Sequence, residues 1–488
     1  MLKPLSLTLL IAGIIPFSSQ AGSIQWESCL NSKFHSWFNG SPPSPQLRCG
    51  FLEVPLQYKK GTSIEEYGTD KTVRLALTLL PAKGVRKGGL VMISGGPGQS
   101  GISGKKPSRD ADWPVTNLRE SWDIVRYDPR GVGQSTPKIN CTVPENAPAA
   151  VTSQEQKIHN KLKACIDNTG VEVLKHIGTD EAVSDVDRIR QALDDSKLTA
   201  VAYSYGTQVA ALYAERFPST TRAIVLDGVV ELEVAKDDFI WQLNDARGYQ
   251  QTFERFAAWC AETGSCPLSS DKMLATQQYR NLLSQLHAQP LYGAEGRQIS
   301  ANDLRFLTQV LLLWRSSWPS LATAVRQLSA GIVSTEVNGL LNNSASILDW
   351  DALSVITCAD QPIRKYSQND ILRQRQLIRE AFAATNYPPQ TADPLNLCDL
   401  WPWKNNVLAK RPVHVPHLPQ LLFVAQRHDP TTPWHNARAM ATLFSSPLLT
   451  REGDGHTLAL SGANLCVDKT VVDYLINPDK KRNDSVCR

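Results

Sequence analysis

The sequence lacks the features of a membrane-spanning or nucleic-acid-binding chain. After residue 21 there is no stretch of about 18 uncharged apolar residues, the length a bilayer-crossing helix needs. Lys/Arg runs of the kind that track a phosphate backbone are absent, and a formal net charge of +4 over 488 residues is too dilute a field to attract one. Nucleic acid is therefore not an expected partner. No C-x-x-C or H-x-x-x-H spacing occurs, and the near miss, His414 with His417, flanks Pro416 in a Pro-rich loop, so no metal and no other cofactor is expected. Internal repeats and low-complexity tracts are missing too, which excludes solenoids and disordered scaffolds.

The chain does carry a globular balance of 42% hydrophobic and 20% charged residues. Its length accommodates one large domain with an insertion, or two or three ordinary domains. Lys3, the apolar run Leu5 to Phe17 and the small-x-small Ser19-Gln20-Ala21 form a secretory leader, removed after residue 21. The mature chain is then expected to be exported, periplasmic or secreted, and not anchored in a membrane. Ten cysteines agree with an oxidising compartment. They fall in sequential pairs, Cys29 with Cys49, Cys141 with Cys165, Cys260 with Cys266, Cys358 with Cys398 and Cys466 with Cys487, a pairing that sequence suggests without fixing.

Short apolar runs alternate with helical patterns in the first half, the signature of a mostly parallel sheet covered on both faces. Strands are expected at Val73 to Leu80, Leu90 to Ile93, Asp123 to Tyr127, Leu198 to Tyr203 and Ala223 to Leu226, with helices at Asp180 to Leu193 and Thr207 to Phe217. After about residue 230 the texture turns helical, at Phe239 to Trp259, Leu274 to His287, Asp303 to Ala330 and Asn369 to Ala384. Strands return at Gln420 to Ala425 and Pro447 to Thr450, followed by a helix from Thr470 to Ile476. This gives an α/β fold with an inserted helical cap: leader 1–21, first core part 22–229, cap 230–410 and second core part 411–488.

Chemistry concentrates at three strand ends. Ala202-Tyr203-Ser204-Tyr205-Gly206 lies between a strand and a helix, and a serine on so tight a turn needs small residues two before and two after it. A serine hydroxyl needs a base, and the base needs an acid to hold its tautomer. Asp429, in His428-Asp429-Pro430-Thr431-Thr432-Pro433, and His456, in Gly453-Asp454-Gly455-His456, follow the last two strands and complete the chain order Ser, Asp, His. Asp454 is the alternative acid; His428 and His435 are alternative bases in the wrong chain order. Ser94-Gly95-Gly96-Pro97-Gly98 supplies an oxyanion hole, with donors expected at the Gly96 and Tyr205 amides. Asp128 and Arg130, in Tyr127-Asp128-Pro129-Arg130-Gly131, are expected to brace the turns beneath the site, since the phosphate-loop ending G-K-[ST] is missing.

Together, Gly95-Gly96-Pro97-Gly98, Asp128-Pro129-Arg130-Gly131-x-Gly133-x-Ser135, Ser204-Tyr205-Gly206-Thr207, Leu226-Asp227-Gly228-Val229, Asp429-x-x-Thr432-Pro433 and Gly455-His456 resemble exported α/β-hydrolase peptidases of the tripeptidyl aminopeptidase and proline iminopeptidase family. The resemblance implies an α/β-hydrolase fold, a Ser204, Asp429, His456 triad and release of short units from free peptide N-termini. Ser94, where proline iminopeptidases often carry His, and Ala202, where many members carry Gly, depart from the pattern. An exopeptidase also needs an anion for the substrate ammonium, with Asp227, Glu231, Glu233, Asp237, Asp238 and Asp360 as candidates. A carboxylesterase or small-molecule amidase is the alternative, and an inactive fold used as a binding module the third reading. The expected partner is a peptide or small-molecule acyl substrate; oligomeric state is not legible.

Overall fold

The computed structural model describes residues 23–488 apart from 39, 59–70, 103–114, 145–152, 236, 294–295, 363–365, 388–395 and 405–417. The expected leader, His414 and His417, and the boundary expected at 410/411 lie outside the described residues. The strands are β1 (Glu27–Ser28), β2 (Arg48–Pro55), β3 (Thr72–Leu80), β4 (Gly88–Ile93), β5 (Trp122–Tyr127), β6 (Leu198–Tyr203), β7 (Thr221–Asp227), β8 (Leu291–Tyr292), β9 (Gln298–Ile299), β10 (Leu422–His428), β11 (Leu448–Asp454) and β12 (Ser485–Cys487). All but the short β8/β9 hairpin join one sheet of 10 strands in the order β1-β2-β3-β5-β4-β6-β7-β10-β11-β12. The pairs from β5 through β12 are parallel, and β1, β2 and β3 add an antiparallel edge. The sheet is an α/β-hydrolase sheet.

Alternate residues of the central strands pack into different cores, as the two-residue strand period dictates. Val91, Ile93, Ala200, Ala202, Ile224 and Phe423 meet Val183, Val186 and Ile189 of the helix Thr179–Ala192 and Val209 and Leu212 of the helix Tyr205–Arg216. Leu90, Met92, Val201, Ala223, Val225 and Val424 face Val467 and Val471 of the helix Leu465–Ile476. With apolar cover on both faces, functional groups are left to the strand ends.

Between β7 and β10 the chain is helical and has a core of its own, built from Phe253, Phe256, Tyr279, Leu304, Leu307, Trp318 and Leu321. One expectation here is corrected. Asp303 to Ala330 is not a single helix but two, Ala301–Leu312 and Trp318–Ser329. Pro319 sits in the first turn of the second, where a proline starts a helix well but cannot continue one. The break frees Trp314 to pair with Gly455, next to His456. Sequence reading also missed the strand β2, the edge strand β12 and the helices Gln154–Thr169 and Trp350–Asp360.

All five sequential cysteine pairs form disulfides. Cys466–Cys487 ties the terminal strand β12 to the start of the helix Leu465–Ile476. Beneath the site, Arg130 donates from Nε (2.7 Å) and Nη2 (2.6 Å) to the two oxygens of Asp185, and from Nη1 to the carbonyls of Leu56 and His176, both at 2.8 Å. The two side chains are 1% and 2% exposed, so removing one partner strands a buried charge. Asp185→Ala is expected to lose about 3–5 kcal/mol of stability. A urea midpoint that stays unchanged would contradict this bracing role.

Candidate active site

Ser204 occupies a strained turn between β6 and the helix Tyr205–Arg216, with φ +52° and ψ −126°. Such a conformation in a non-glycine residue costs about 1–3 kcal/mol and persists only where its surroundings enforce it. They do so here: the Ser204 N–H donates to the Asp227 carbonyl (2.9 Å), and the Ser204 carbonyl accepts from Thr207 N–H (2.8 Å) and Thr207 Oγ1 (2.6 Å). Glycine makes the turn possible, because a Cβ on Gly206 would stand 2.6 Å from the Ser94 carbonyl oxygen. A Cβ on Gly95 would stand 2.9 Å from the Ser204 Cβ, so the loop after β4 is pressed against the Ser204 turn.

That loop and the helix start carry the two amides expected as oxyanion donors. Among the described residues, the Gly96 and Tyr205 amide protons donate to no protein acceptor, whereas Gly95 N–H is taken by Gln99 Oε1 at 3.2 Å. Two unpaired amides beside a serine, with a helix N-terminus behind one of them, are suited to developing negative charge.

His456 and Asp429 meet as expected. His456 Nδ1 lies 2.9 Å and 3.1 Å from the two Asp429 oxygens, which fixes the proton on Nδ1 and leaves Nε2 free. Asp429 is itself held by the N–H groups of Thr431 (3.0 Å) and Thr432 (2.8 Å) and by Thr432 Oγ1 (2.9 Å). Asp429 and His456 are 4% and 6% exposed, so their charges act with little water between them. No hydrogen bond joins Ser204 Oγ to the imidazole among the described residues; in unliganded enzymes such contacts commonly tighten only around substrate. What the fold provides is adjacency. Ser204 hangs on the Asp227 carbonyl, and the imidazole lies over Gly228, where a Cβ would be 2.9 Å from His456 Cε1.

The alternatives weighed from sequence make no side-chain hydrogen bond to Asp429 or Ser204 among the described residues. Asp454 forms an ion pair with Arg255, at 3.0 Å for its Nη2 contact. Burial lowers the pKa of both His428 and His435. Asp360, a candidate for the substrate ammonium, is corrected by its contacts: its oxygens accept from Thr179 N–H (2.8 Å) and Thr179 Oγ1 (2.6 Å), and Thr179 Oγ1 in turn meets the Tyr205 hydroxyl at 2.6 Å. Through Thr179 it braces Tyr205, the residue after Ser204. Glu231 is half-buried at the start of the helical segment, its carboxyl raised by burial and then by the charge of Glu233, which is exposed. Asp227 is fully buried.

Sequence reading missed Asp245. It lies on the helix Asp238–Thr263, partly buried, and accepts from Thr431 Oγ1 at 2.6 Å. Burial pushes its carboxyl up to about 7, with the Thr431 hydrogen bond and His456 opposing and Asp429 adding to the rise. No sequence signal separates it from an ordinary solvent-facing acid one turn after Trp241. The helical segment also holds His456 directly, since the His456 N–H donates to the Leu313 carbonyl at 2.6 Å.

Burial by itself would lower the His456 pKa. The charge and hydrogen bond of Asp429, then the charges of Asp227 and Asp245, outweigh that and leave it raised. A general base must be unprotonated, so kcat/KM is expected to fall with decreasing pH through a value above the ordinary histidine range. Asp429→Asn is expected to move that acid limb to lower pH and to reduce kcat by roughly 10³–10⁴-fold. A pH–rate profile that is flat across the histidine range contradicts this assignment.

Comparison with known proteins agrees with this architecture. The family model described as "alpha/beta hydrolase fold" matches residues 89–463. The chain is 52% identical over 492 residues to "Putative hydrolase YuaR" of Escherichia coli K12, covering 100% of this chain and 98% of that protein. It is 30% identical to "Serine protease Hip1" of Mycobacterium tuberculosis H37Rv, covering 95% of this chain and 91% of that one. It is also 30% identical to "Carboxylesterase B" of the same organism, covering 88% and 84%. With most of the chain matched by the family model and by these relatives, the protein belongs to the α/β-hydrolase family.

Proposed function

We infer that this hydrolase is an exported serine aminopeptidase that releases short units from free peptide N-termini through an acyl-enzyme. Ser204 Oγ attacks the scissile carbonyl carbon while His456 Nε2 takes its proton, and the oxyanion sits between the Gly96 and Tyr205 amides. His456 returns the proton to the leaving amine. Water, deprotonated by the same imidazole, then attacks the ester carbonyl and frees Ser204. Asp429 holds the imidazole tautomer throughout.

The relatives' names point both to a protease and to a carboxylesterase, so the choice between peptide and simple ester rests on the site. The observation that carries the peptidase reading is the charge around the base. Three carboxylates, Asp429, Asp227 and Asp245, act on His456, and no Lys or Arg side chain pairs with any of them among the described residues. Such a surplus favours a substrate that brings its own positive charge. Asp245 is the carboxylate of the three that retains solvent contact outside the Asp429 and Asp227 networks, and it is the group proposed to receive the substrate ammonium. An uncharged ester gains nothing from it. Export is supported by the five disulfides, which persist in oxidising compartments.

The reading is tested with peptide anilides bearing free and acetylated N-termini, assayed beside simple aryl esters. Free peptides are expected to be turned over best, and Asp245→Asn is expected to reduce their kcat/KM by about 10–100-fold, the worth of a charge-assisted contact, while sparing aryl esters. Equal or better turnover of the acetylated peptide or the ester would remove the aminopeptidase assignment. Ser204→Ala is expected to abolish all of these activities.

A further inference from the structure

Asp227, the last residue of β7, is joined to both halves of the site. Its main-chain carbonyl accepts the Ser204 N–H at 2.9 Å. One carboxylate oxygen, Oδ2, accepts the N–H groups of Leu458 (2.6 Å) and Ala459 (2.7 Å), in the loop that carries His456. Thr457 and Leu460 in that loop adopt φ +53° and +58°, so it holds a strained course that needs external anchors. The neighbouring Gly228, at φ +68°, leaves room for the imidazole, and a Cβ there would meet His456 Cε1 at 2.9 Å and Thr457 Cγ2 at 2.8 Å. The other carboxylate oxygen, Oδ1, is buried with no hydrogen-bond partner among the described residues.

A fully buried, half-satisfied carboxylate is expensive to maintain. If anchoring the loop were its whole purpose, a neutral side-chain oxygen would accept the same two N–H groups at lower cost. The unpaired oxygen is therefore the informative feature. The cation available to it in this site is the imidazolium formed when His456 takes the serine proton.

We propose that Asp227 is a positioning residue for the Ser204 and His456 pair. Its main chain fixes the nucleophile, its side chain fixes the base loop, and its unpaired oxygen gives the imidazolium a second negative charge beyond Asp429. The groups facing His456 are then Asp429 from the loop after β10, Asp227 from the end of β7 and Asp245 from the helix Asp238–Thr263. Those acting on Asp227 are His456 and Asp429, while the Tyr203 phenol on β6 feels its charge. Burial raises the Asp227 carboxyl to about 6, with the Ala459 and Leu458 amides and His456 opposing, so it is mostly ionised at neutral pH and titrates just below.

The inference rests on Ser204 and His456 being nucleophile and base. Asp227→Asn keeps the side-chain shape and an acceptor for the loop but removes the charge. It is expected to lower kcat about 10–100-fold with KM within twofold, and to move the acid limb of kcat/KM to lower pH. Asp227→Ala, which also removes the loop anchor, is expected to lose more. Wild-type kcat in the Asn variant overturns the proposal, and so does a loss of kcat and melting temperature with an unmoved pH profile, the result of a purely structural role. If neither variant folds, the ring-nitrogen NMR shift of His456 with Asp227 intact decides. In the Asp245→Asn background, which removes the other raised carboxylate beside the imidazole, two inflections, its own and a lower one from Asp227, are expected, and a single inflection overturns the proposal. Failure of the underlying reading looks different, as turnover retained by Ser204→Ala.

Discussion

The site depends on one constraint: Ser204 and the His456 loop, the proposed nucleophile and the carrier of the proposed base, are both tied to Asp227 at the end of a buried parallel strand. β7 lies between β6, which delivers Ser204, and β10, which delivers Asp429, so its last residue is the point where the two catalytic halves can be tied together. The main chain holds the serine and the side chain holds the histidine loop. Replacing either link with a solvent-exposed contact would leave two loops free to drift. Rates are sensitive to that drift, because a misplacement of about 1 Å can cost on the order of 10²-fold.

The helical segment is part of the same construction. It reaches each catalytic loop at a different place: Leu313 at the His456 N–H, Asp245 at Thr431 beside Asp429, Asp349 at the Gly98 carbonyl and Asp360 behind Tyr205. Gly98 and Gly248 allow two of these approaches. A Cβ on Gly98 would be 2.6 Å from the Asp349 carbonyl oxygen, and one on Gly248 would be 2.2 Å from that of Pro430. Cover that touches all four loops both shapes the substrate space and stiffens the machinery. Asp429 and Asp227 lie buried beneath it, where little water screens their effect on His456.

Much of this was legible in the sequence. The parallel strands are continuous apolar runs buried on both faces, and the small residues around Ser204 have a steric reason visible without coordinates. The order Ser204, Asp429, His456 placed acid and base at successive strand ends, where the structure brings them to 2.9 Å. What stayed hidden depends on approach in three dimensions. Asp303 to Ala330 carries an unbroken helical pattern, yet the chain breaks near Trp314 to hold Gly455, a tertiary demand that local periodicity does not encode. Asp360 and Asp245 are both acids on helices of the inserted segment. Only the partners differ: Thr179 takes up the two oxygens of Asp360, while Asp245 lies beside the acid loop. Sequence likewise leaves Asp227 among the possible ammonium ligands; its burial and its bonds to Leu458 and Ala459 set it apart.

The central claim is that Ser204 is a nucleophile activated by His456. The most direct measurement is stoichiometric trapping with an uncharged fluorophosphonate, followed by peptide mapping of the modified residue. The account predicts one equivalent of label, on Ser204, at a rate that falls at acid pH as His456 becomes protonated. Label on another residue, or labelling of Ser204 at a rate indifferent to protonation of His456, would contradict it.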